Sequence, residues 1–357
     1  MKILMCIDSL SKDGASRVFT NLAKYLSINN EVLFCCSVSN IIEYPIPSTV
    51  KQVHAFSTAS NKLNRNIERI KNLNNIIKNN KPDIILSFLP RSSYMNCLLK
   101  RKNIKLVISV RNDPKTEYSR LIDKILMNLL YPRADGFVLQ TNDAKDYFCK
   151  KIQDKSKIIL NSVNPDFLKD DIHTNKKKRI ISIGRLVEQK NQKLLIDSFV
   201  NISNDIPEYC LDIYGDGPLK NDLEKYIQSK GMSDKIFLKG NIDNIKKVMC
   251  ESSLFVLSSN YEGLPNSLIE AMSSGIPCIS TDCPCGGPRM LINNGVNGWL
   301  VNVNDNNQLS KIIKYVLNNP SLAKKVGNEA KKIREVINPN IINKEWENYL
   351  KGITNSK

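Results

Sequence analysis

The sequence predicts an α/β protein made of two doubly wound domains, each with a largely parallel sheet. Short apolar segments typical of buried strands alternate with segments whose apolar residues recur at helical spacing. The alternation stops in the polar stretch 161–178, which contains a proline and a basic run, and then starts again. A length of 357 residues is enough for two domains that each bury a core.

In the first half, the apolar segments predict strands and the amphipathic segments predict the helices between them. The expected strands lie at 2–7, 31–38, 82–88, 105–110, 136–139 and 157–160. The clearest helices are expected at 15–26 and 62–80, where apolar residues mark one face, and a further helix is expected between the third and fourth strands. A second apolar segment at helical spacing covers 121–131.

In the second half the same alternation predicts a second sheet. The expected strands lie at 179–183, 210–214, 235–238, 253–257 and 278–280, and the expected helices at 191–201, 219–230, from about 266, and at 341–350. In doubly wound sheets, ligands bind at the carboxyl ends of the strands. We therefore expect the ligand in the cleft between the two domains.

The composition indicates a soluble protein with an anionic partner. The apolar fraction is 41%, and no apolar run has the ~18–20 residues of a membrane span. The amino terminus lacks the pattern of a signal peptide. The ten cysteines lack paired spacings, so reduced thiols are expected. The formal charge of +17 indicates a surface that faces an anion, such as a membrane or nucleic acid, although part of it reflects solvated lysines.

The segment 261–272 carries the strongest functional signal. Two carboxylates, Glu262 and Glu270, flank a turn that opens into a helix after the strand 253–257. The first amides of a helix lack intrahelical partners and can bind an anion. Carboxylates on either side suit the hydroxyls of a ligand with phosphate at its centre, which describes a nucleotide-sugar.

Two cations, Arg185 and Lys190, occupy a loop between the strand 179–183 and a helix. There they can stabilise the charge that develops on a departing diphosphate. The chain has no Asp-x-Asp and only two histidines, His54 and His173, so we predict that no metal or other cofactor is needed. Three weaker signals follow other strands: Gly14 at a helix entry, Gly215 in a turn, and Asn241 at a place that could border a base.

Three motifs, in order and at matching spacing, resemble those of the retaining glycosyltransferase family 4. They are the two glutamates within EGLPNSLIEAMSSGIPCIS, the Gly184-Arg185-Leu186 to Lys190-Asn191 loop, and Tyr214-Gly-Asp-Gly-Pro-Leu219. The resemblance covers nearly the whole chain and is strongest over 180–302. It implies a GT-B fold: an acceptor-binding Rossmann-like domain at 1–168 facing a donor-binding one at 176–335 across a cleft, with a final helix, 336–357, returning to the first domain.

The resemblance also implies roles for individual residues. Arg185 and Lys190 would hold the donor diphosphate, Glu262 the donor sugar, and Glu270 the ribose hydroxyls. Gly14 and Gly215 would lie near the donor. Backbone groups of the turn and of the helix after it would line the donor: those of Gly263, Leu264, Pro265, Asn266, Leu268 and Ile269.

The chain departs from the family at two places. Asp13 stands where many relatives have a first glycine, and Arg111 stands where many have a histidine after the strand ending at Val110. Arg111 could bond a sugar hydroxyl or donor phosphate, or serve the loop alone, but it cannot act as a base. A front-face path, in which the leaving phosphate takes the acceptor proton, fits the lack of a clear base. Glu262 as a covalent nucleophile is the alternative.

The basic helix 62–81 and the apolar segment 121–131 suggest that the first domain meets an anionic membrane. The resemblance to bacterial members of the family implies a UDP-hexose or UDP-N-acetylhexosamine donor and a polyprenyl-diphosphate-linked glycan acceptor of bacterial surface polysaccharide (O-antigen or capsule). The enzyme would be a monomer or weak dimer, cytoplasmic and peripheral to the inner face of the plasma membrane. Alternatives are a GT-B nucleotide-sugar epimerase or a non-enzymatic basic protein that binds nucleic acid or a membrane. Nucleic acid is not expected, since the helix 62–81 lacks interleaved aromatics.

Overall fold

The computed structural model describes residues 1–11, 13–170 and 176–356. By internal packing, the chain divides into Met1–Ser162 with Asn340–Lys357, and Val163–Pro339. The second unit begins before 168 because the 3-10 turn Pro165–Leu168 packs on a helix of that unit. The expected linker falls partly on 171–175, including His173, which lies outside the described residues.

The first unit holds a seven-stranded sheet whose neighbouring strands all run parallel, in the order β3-β2-β1-β4-β5-β6-β7. Its strands are β1 Lys2–Ile7, β2 Glu31–Cys36, β3 Lys51–His54, β4 Ile84–Phe88, β5 Lys105–Ser109, β6 Gly136–Leu139 and β7 Ser156–Ile158. Its helices are α1 Gly14–Leu26, α2 Lys62–Asn80, α3 Pro90–Leu98, α4 Pro114–Glu117, α5 Leu121–Leu130, α6 Asn142–Asp146 and α7 Lys150–Gln153. The central strands are continuously apolar because helices cover both faces of a parallel sheet.

The second unit holds a six-stranded parallel sheet in the order β10-β9-β8-β11-β12-β13. Its strands are β8 Arg179–Ile183, β9 Cys210–Tyr214, β10 Ile236–Gly240, β11 Leu254–Leu257, β12 Cys278–Thr281 and β13 Trp299–Val301. Its helices are α8 Gln192–Ile202, α9 Lys220–Ser229, α10 Ile245–Glu251, α11 Asn266–Ser274, α12 Gly287–Leu291, α13 Asn306–Asn318 and α14 Pro320–Lys331. The predicted class, two Rossmann-like α/β sheets, is confirmed.

The last helix, α15 Pro339–Asn355, packs on the first unit through aromatic residues. Trp346 is buried in the core of that unit and stacks on Phe88, with ring centroids 5.9 Å apart. The Tyr349 hydroxyl accepts a hydrogen bond from the Phe137 amide at 2.9 Å and lies 2.9 Å from the Lys155 carbonyl. Gly136 makes room for it, because a Cβ there would lie 2.5 Å from the Tyr349 oxygen.

Two further expectations concern the cysteines and the absence of membrane-spanning segments. All ten cysteines lie within the described ranges and are free thiols, and seven of them are buried. Over the described residues, none of the helices combines the length and apolarity that a membrane crossing needs.

Candidate active site

The candidate site is built from loops that follow β8, β9 and β11 at the carboxyl edge of the second sheet. Its centre is an ion pair between the Lys190 ammonium and Oε1 of Glu262. Their side chains are 16% and 8% exposed. Ser259 donates a hydrogen bond of 2.6 Å to the same Glu262 oxygen. The carboxylate is therefore held by two donors, so its position is fixed before any ligand arrives.

Hydrogen bonds join the two loops that carry this pair. The Asn260 amide donates to the Gln189 carbonyl at 2.7 Å, and the Asn260 side chain donates to the Glu188 carbonyl at 2.8 Å. In return, the Gln189 side chain donates to the Tyr261 carbonyl at 3.0 Å. The loops follow neighbouring strands, β8 and β11, which is why residues about seventy positions apart meet here.

Lys190 reaches Glu262 because of two local features of its own loop. Asn191 adopts a left-handed conformation (φ 44°) and caps α8 by accepting from the Leu194 amide at 3.3 Å. The Lys190 side chain then runs across Gly184, where a Cβ would lie 3.2 Å from its Cε. The absence of a side chain at 184 thus clears the path of the cation.

Gly215 has a structural role in the turn after β9. Its φ is +129°, and a Cβ would lie 2.0 Å from the Gly184 carbonyl oxygen. Asp216 beside it accepts a 2.9 Å backbone bond from Leu186. The turn after β9 therefore packs backbone to backbone against the loop that carries Arg185.

The predicted turn and helix are present, with α11 starting at Asn266 and Pro265 as its N-cap. The Glu262 amide donates to the Pro284 carbonyl at 2.7 Å, which fixes the entry to the turn. A Cβ at Gly287 would lie 1.7 Å from the Gly263 carbonyl oxygen. The turn is therefore held from behind by the segment after β12.

One predicted backbone contact conflicts with the helix geometry. The Ile269 amide donates to the Pro265 carbonyl at 3.1 Å, so it is used within α11 and is not available to a phosphate. The amides of Ser267 and Leu268 belong to the first turn, ahead of the regular helical bonds. Unlike the Ile269 amide, they have no acceptor within a regular helix.

The remaining donor residues occupy contrasting surroundings. Glu270 is buried in α11 and Leu264 in the turn before it. Arg185 is exposed, and its side chain makes no ion pair with a described residue. Asn241 is exposed directly after β10.

The two residues predicted from the first unit also differ from each other. Gly14 is exposed at the start of α1, which Asp13 caps by accepting from the Ser16 amide at 2.8 Å. Arg111 is buried, donates to Asn161 and lies 5.3 Å from the Phe88 ring centroid. Burial lowers the pKa of Arg111 to about 9, which leaves it charged at neutral pH. These contacts favour the structural alternative for Arg111.

Two features of the site escaped the sequence analysis. Ser259 was not singled out, although the polar run 258–260 directly after a strand is a usable signal. Cys283 is buried near the ion pair; burial first, and then the Glu262 charge, raise the pKa of its thiol to about 12. It therefore stays protonated and is no nucleophile.

The first unit contains a cavity of about 670 Å³ with a cationic rim and an apolar wall. Four basic side chains line it: Lys62, Arg65, Arg69 and Arg91. Tyr94, Met95, Ile122 and Leu126 supply much of the wall. Arg91 could not be linked to the basic helix from sequence, because only the fold brings α3 beside α2.

Comparison with known proteins identifies the family of this chain. A model described as "Glycosyl transferases group 1" matches residues 165–333, and one described as "Glycosyltransferase Family 4" matches residues 12–167. The chain belongs to glycosyltransferase family 4. It is therefore a glycosyltransferase with the GT-B fold, as the motifs predicted.

Three similar proteins illustrate the match. A glycosyltransferase of Methanocaldococcus jannaschii is 33% identical over 63% of this chain and 62% of its own. The Campylobacter jejuni enzyme named GalNAc-α-(1→4)-GalNAc-α-(1→3)-diNAcBac-PP-undecaprenol α-1,4-N-acetyl-D-galactosaminyltransferase is 26% identical over the full length of both chains. The Anabaena protein HepE, solved in complex with UDP, superposes with a TM-score of 0.83 at 17% identity, covering 99% of this chain and 100% of that one.

Metal independence stays a prediction. Within the described ranges, no three His, Cys, Asp or Glu residues are grouped as a metal site requires. The loop after β8 carries the two cations, Arg185 and Lys190, that the sequence analysis expects to act in place of a metal.

Proposed function

We propose that this glycosyltransferase transfers a hexose or N-acetylhexosamine, with retention, from a UDP-sugar to a polyprenyl-diphosphate-linked glycan, without a metal ion. The product would be an intermediate of bacterial surface polysaccharide such as O-antigen or capsule. The enzyme would work on the cytoplasmic face of the membrane. The observation that supports the proposed binding of the sugar donor is the Lys190–Glu262 ion pair, which Ser259 holds beside the first turn of α11.

This arrangement suits departure of a diphosphate. Charge grows on the leaving phosphate as the sugar–oxygen bond breaks, and fixed cations and amides stabilise it more in the transition state than in the ground state. Lys190, Arg185 and the amides of Ser267 and Leu268 are the groups available for this. Glu262 can accept hydrogen bonds from sugar hydroxyls while it orients Lys190.

The same pair bears on the chemical path. Glu262 shares an ion pair with Lys190 and accepts from Ser259, which lowers its electron density and its freedom to attack carbon. This favours the front-face path, in which the proton of the acceptor hydroxyl passes to the leaving phosphate. Covalent catalysis by Glu262 would instead leave a glycosyl–enzyme ester, detectable by mass spectrometry of the protein quenched with donor alone.

A thermal-shift panel tests the donor. UDP should raise the melting temperature in the presence of EDTA, whereas GDP and ADP should not, because a ligand that binds only the folded state stabilises it. HepE was solved with UDP, which supports uracil as the base. Loss of UDP stabilisation on adding EDTA, with recovery on adding Mg²⁺, would overturn the metal-independent proposal.

The cavity of the first unit supports the acceptor half. Arg65 and Arg91 lie on its rim and form no ion pair with a described residue, so they can receive the charge of a diphosphate. The apolar wall suits the first isoprene units of a polyprenyl chain. The Campylobacter jejuni relative is named for a PP-undecaprenol acceptor, which agrees with this chemistry.

Exposed apolar residues beside the cavity support membrane docking. Leu121 and Leu129 of α5 are 74% and 69% exposed, and Leu63 of α2 is 67% exposed. Such residues next to basic ones are typical of a surface that lies on an anionic leaflet.

We expect the protein to float with anionic vesicles, and the variant Leu121→Gln/Leu129→Gln to float more weakly. Ile28→Gln, at a residue 71% exposed elsewhere on the unit, is the matched control. Equal flotation of all three proteins would exclude docking through α5.

A further inference from the structure

A second large cavity, of about 690 Å³, lies at the amino edge of the second sheet. Residues that immediately precede four strands line it: Lys178 before β8, Tyr209 before β9, Ser253 before β11 and Pro277 before β12. The candidate active site uses the opposite, carboxyl ends of these strands. At ~3.3 Å per residue, a five-residue strand separates the two by about 16 Å. The cavity is therefore not part of the donor site.

The rim of this cavity is strongly cationic. Six basic side chains line it against one carboxylate, Asp170; they are Lys169, Lys176, Lys178, Lys324, Lys331 and Arg334. Side chains of Lys169, Lys176 and Lys324 make no ion pair with a described residue. Like charges gathered at a cavity are unfavourable unless an anion joins them.

The protein already places one anion in this cavity. The Asp170 carboxylate, 70% exposed, is bound by Lys331 and, at 2.6 Å, by Arg334. Hydrogen bonds from Lys331 and then Arg334 lower the pKa of Asp170 to about 2. Two cations thus converge on one oxygen-bearing group at the surface, which is the geometry that binds a phosphate.

The floor of the cavity is apolar. Val316, Leu317 and Ala323 form part of it and belong to the core of the unit. A cavity of this volume is in the range that holds a small organic ligand. A cavity with a cationic rim and an apolar floor suits a phosphate ester better than an inorganic ion.

We propose that this cavity is a second, non-catalytic binding site for an organic phosphate of about nucleotide size or smaller. The phosphate would lie among Lys324, Lys331 and Arg334, and the organic group would lie on the apolar floor. α11 connects the two sites physically, since Asn266 begins at the donor side and Ser274 lines the cavity. The proposal does not depend on the identity of the donor or acceptor.

Calorimetric titration of the full chain with inorganic pyrophosphate, inorganic phosphate and phenyl phosphate tests the site. A background variant, Arg65→Gln/Arg91→Gln, which removes the unpaired cations of the first-unit cavity, should show two binding events for pyrophosphate. Lys190→Ala should remove one, and Lys324→Gln/Lys331→Gln should weaken the other at least tenfold, because each charge-assisted bond contributes about that factor. Phenyl phosphate should bind the second site about tenfold more tightly than inorganic phosphate does, since its ring covers the apolar floor.

Controls separate a built site from bulk charge. Lys220→Gln/Lys225→Gln removes the same charge from two exposed positions on α9 and should leave both events unchanged. Asp170→Asn should tighten the second event, because it releases Lys331 and Arg334, whereas Asp222→Asn should not. Equal weakening by both lysine pairs would overturn the proposal, as would an unchanged second event in Lys324→Gln/Lys331→Gln. Retention of the Lys190→Ala effect with either of these results would leave the donor assignment standing.

Discussion

The two units present their cations in opposite ways. At the donor loops of the second unit, Lys190 is nearly buried, paired with Glu262 and fixed by bonds between two loops. At the cavity of the first unit, Arg65 and Arg91 are long side chains on separate helices and form no ion pair with a carboxylate of the described residues. One region is fixed before its ligand arrives, whereas the other is left adaptable.

This difference matches what each region is proposed to do. Stabilising a transition state requires groups that need no rearrangement when charge develops. Holding a flexible lipid-linked acceptor requires charge and apolar surface but tolerates variable geometry. Substitutions in the two regions should therefore affect different kinetic parameters.

The largest effect is expected at the fixed ion pair. Lys190→Ala and Glu262→Ala should each lower kcat by about 10²- to 10³-fold, because each removes stabilisation of the departing diphosphate or sugar. Turnover with a lipid-linked acceptor measures this. Lys225→Ala, an exposed lysine on α9, is the control and should keep wild-type turnover.

Stability must be followed in the same variants, since each leaves one buried charge without its partner. The double variant Lys190→Ala/Glu262→Ala should recover stability but not activity. Near-normal kcat in both single variants would show that the site is elsewhere.

The next effect concerns the backbone that holds the loops together. Gly215→Ala and Gly287→Ala should each destabilise the protein by about 2–4 kcal/mol, because the new Cβ would lie 2.0 and 1.7 Å from carbonyl oxygens. Gly231→Ala is the control: it also has positive φ but meets no atom within 4 Å, so only the backbone cost of about 1 kcal/mol applies. Denaturant unfolding measures all three. If all three variants lost the same free energy of unfolding, the close contacts of Gly215 and Gly287 with carbonyl oxygens would not be what holds the loops together.

A smaller and different effect is expected at the adaptable cavity. Arg65→Gln/Arg91→Gln should raise KM for the acceptor about tenfold, leave kcat and UDP binding unchanged, and reduce the salt dependence of KM. Lys24→Gln/Lys151→Gln removes the same charge from exposed positions of the first unit and should have little effect. A fall in kcat without a change in KM would contradict the contrast between the two regions.

The smallest effect is on pH dependence within the first unit. Burial, then the charges of Asp8 and Asp113, raise the pKa of Glu117 to about 8 from 4.5. Between these values the folded state holds a proton that the unfolded state has lost, so this group's contribution to stability falls as pH rises.

Glu117→Gln should therefore gain melting temperature relative to wild type between pH 5 and pH 8. The control variant Glu224→Gln, at an exposed position on α9, should show the same change of melting temperature with pH as the wild type. Parallel curves for Glu117→Gln as well would mean that this carboxyl is solvated in the folded protein.

Much of this protein was predictable from local patterns. Continuous apolar runs predicted the central strands of both sheets, and the turn at 263–266 predicted the start of α11, because these features depend on neighbouring residues. The edge strand β3 escaped prediction because it is exposed and mostly polar, and β13 escaped prediction because its apolar run is only three residues long. The bond of the Ile269 amide to the Pro265 carbonyl could not be predicted, because only the helix register shows which amides are already bonded.

The sequence by itself determined the alternating α/β pattern and the family motifs, and it singled out Lys190 and Glu262 as candidate site residues. These are properties of residue type and of spacing along the chain. Only the tertiary structure decided that Lys190 pairs with Glu262, that Arg111 is enclosed by Asn161 and Phe88, and that Arg91 joins Arg65 at a cavity. Such partners depend on the order of strands in a sheet, and crossovers bring together residues whose separation in sequence carries no trace of their contact.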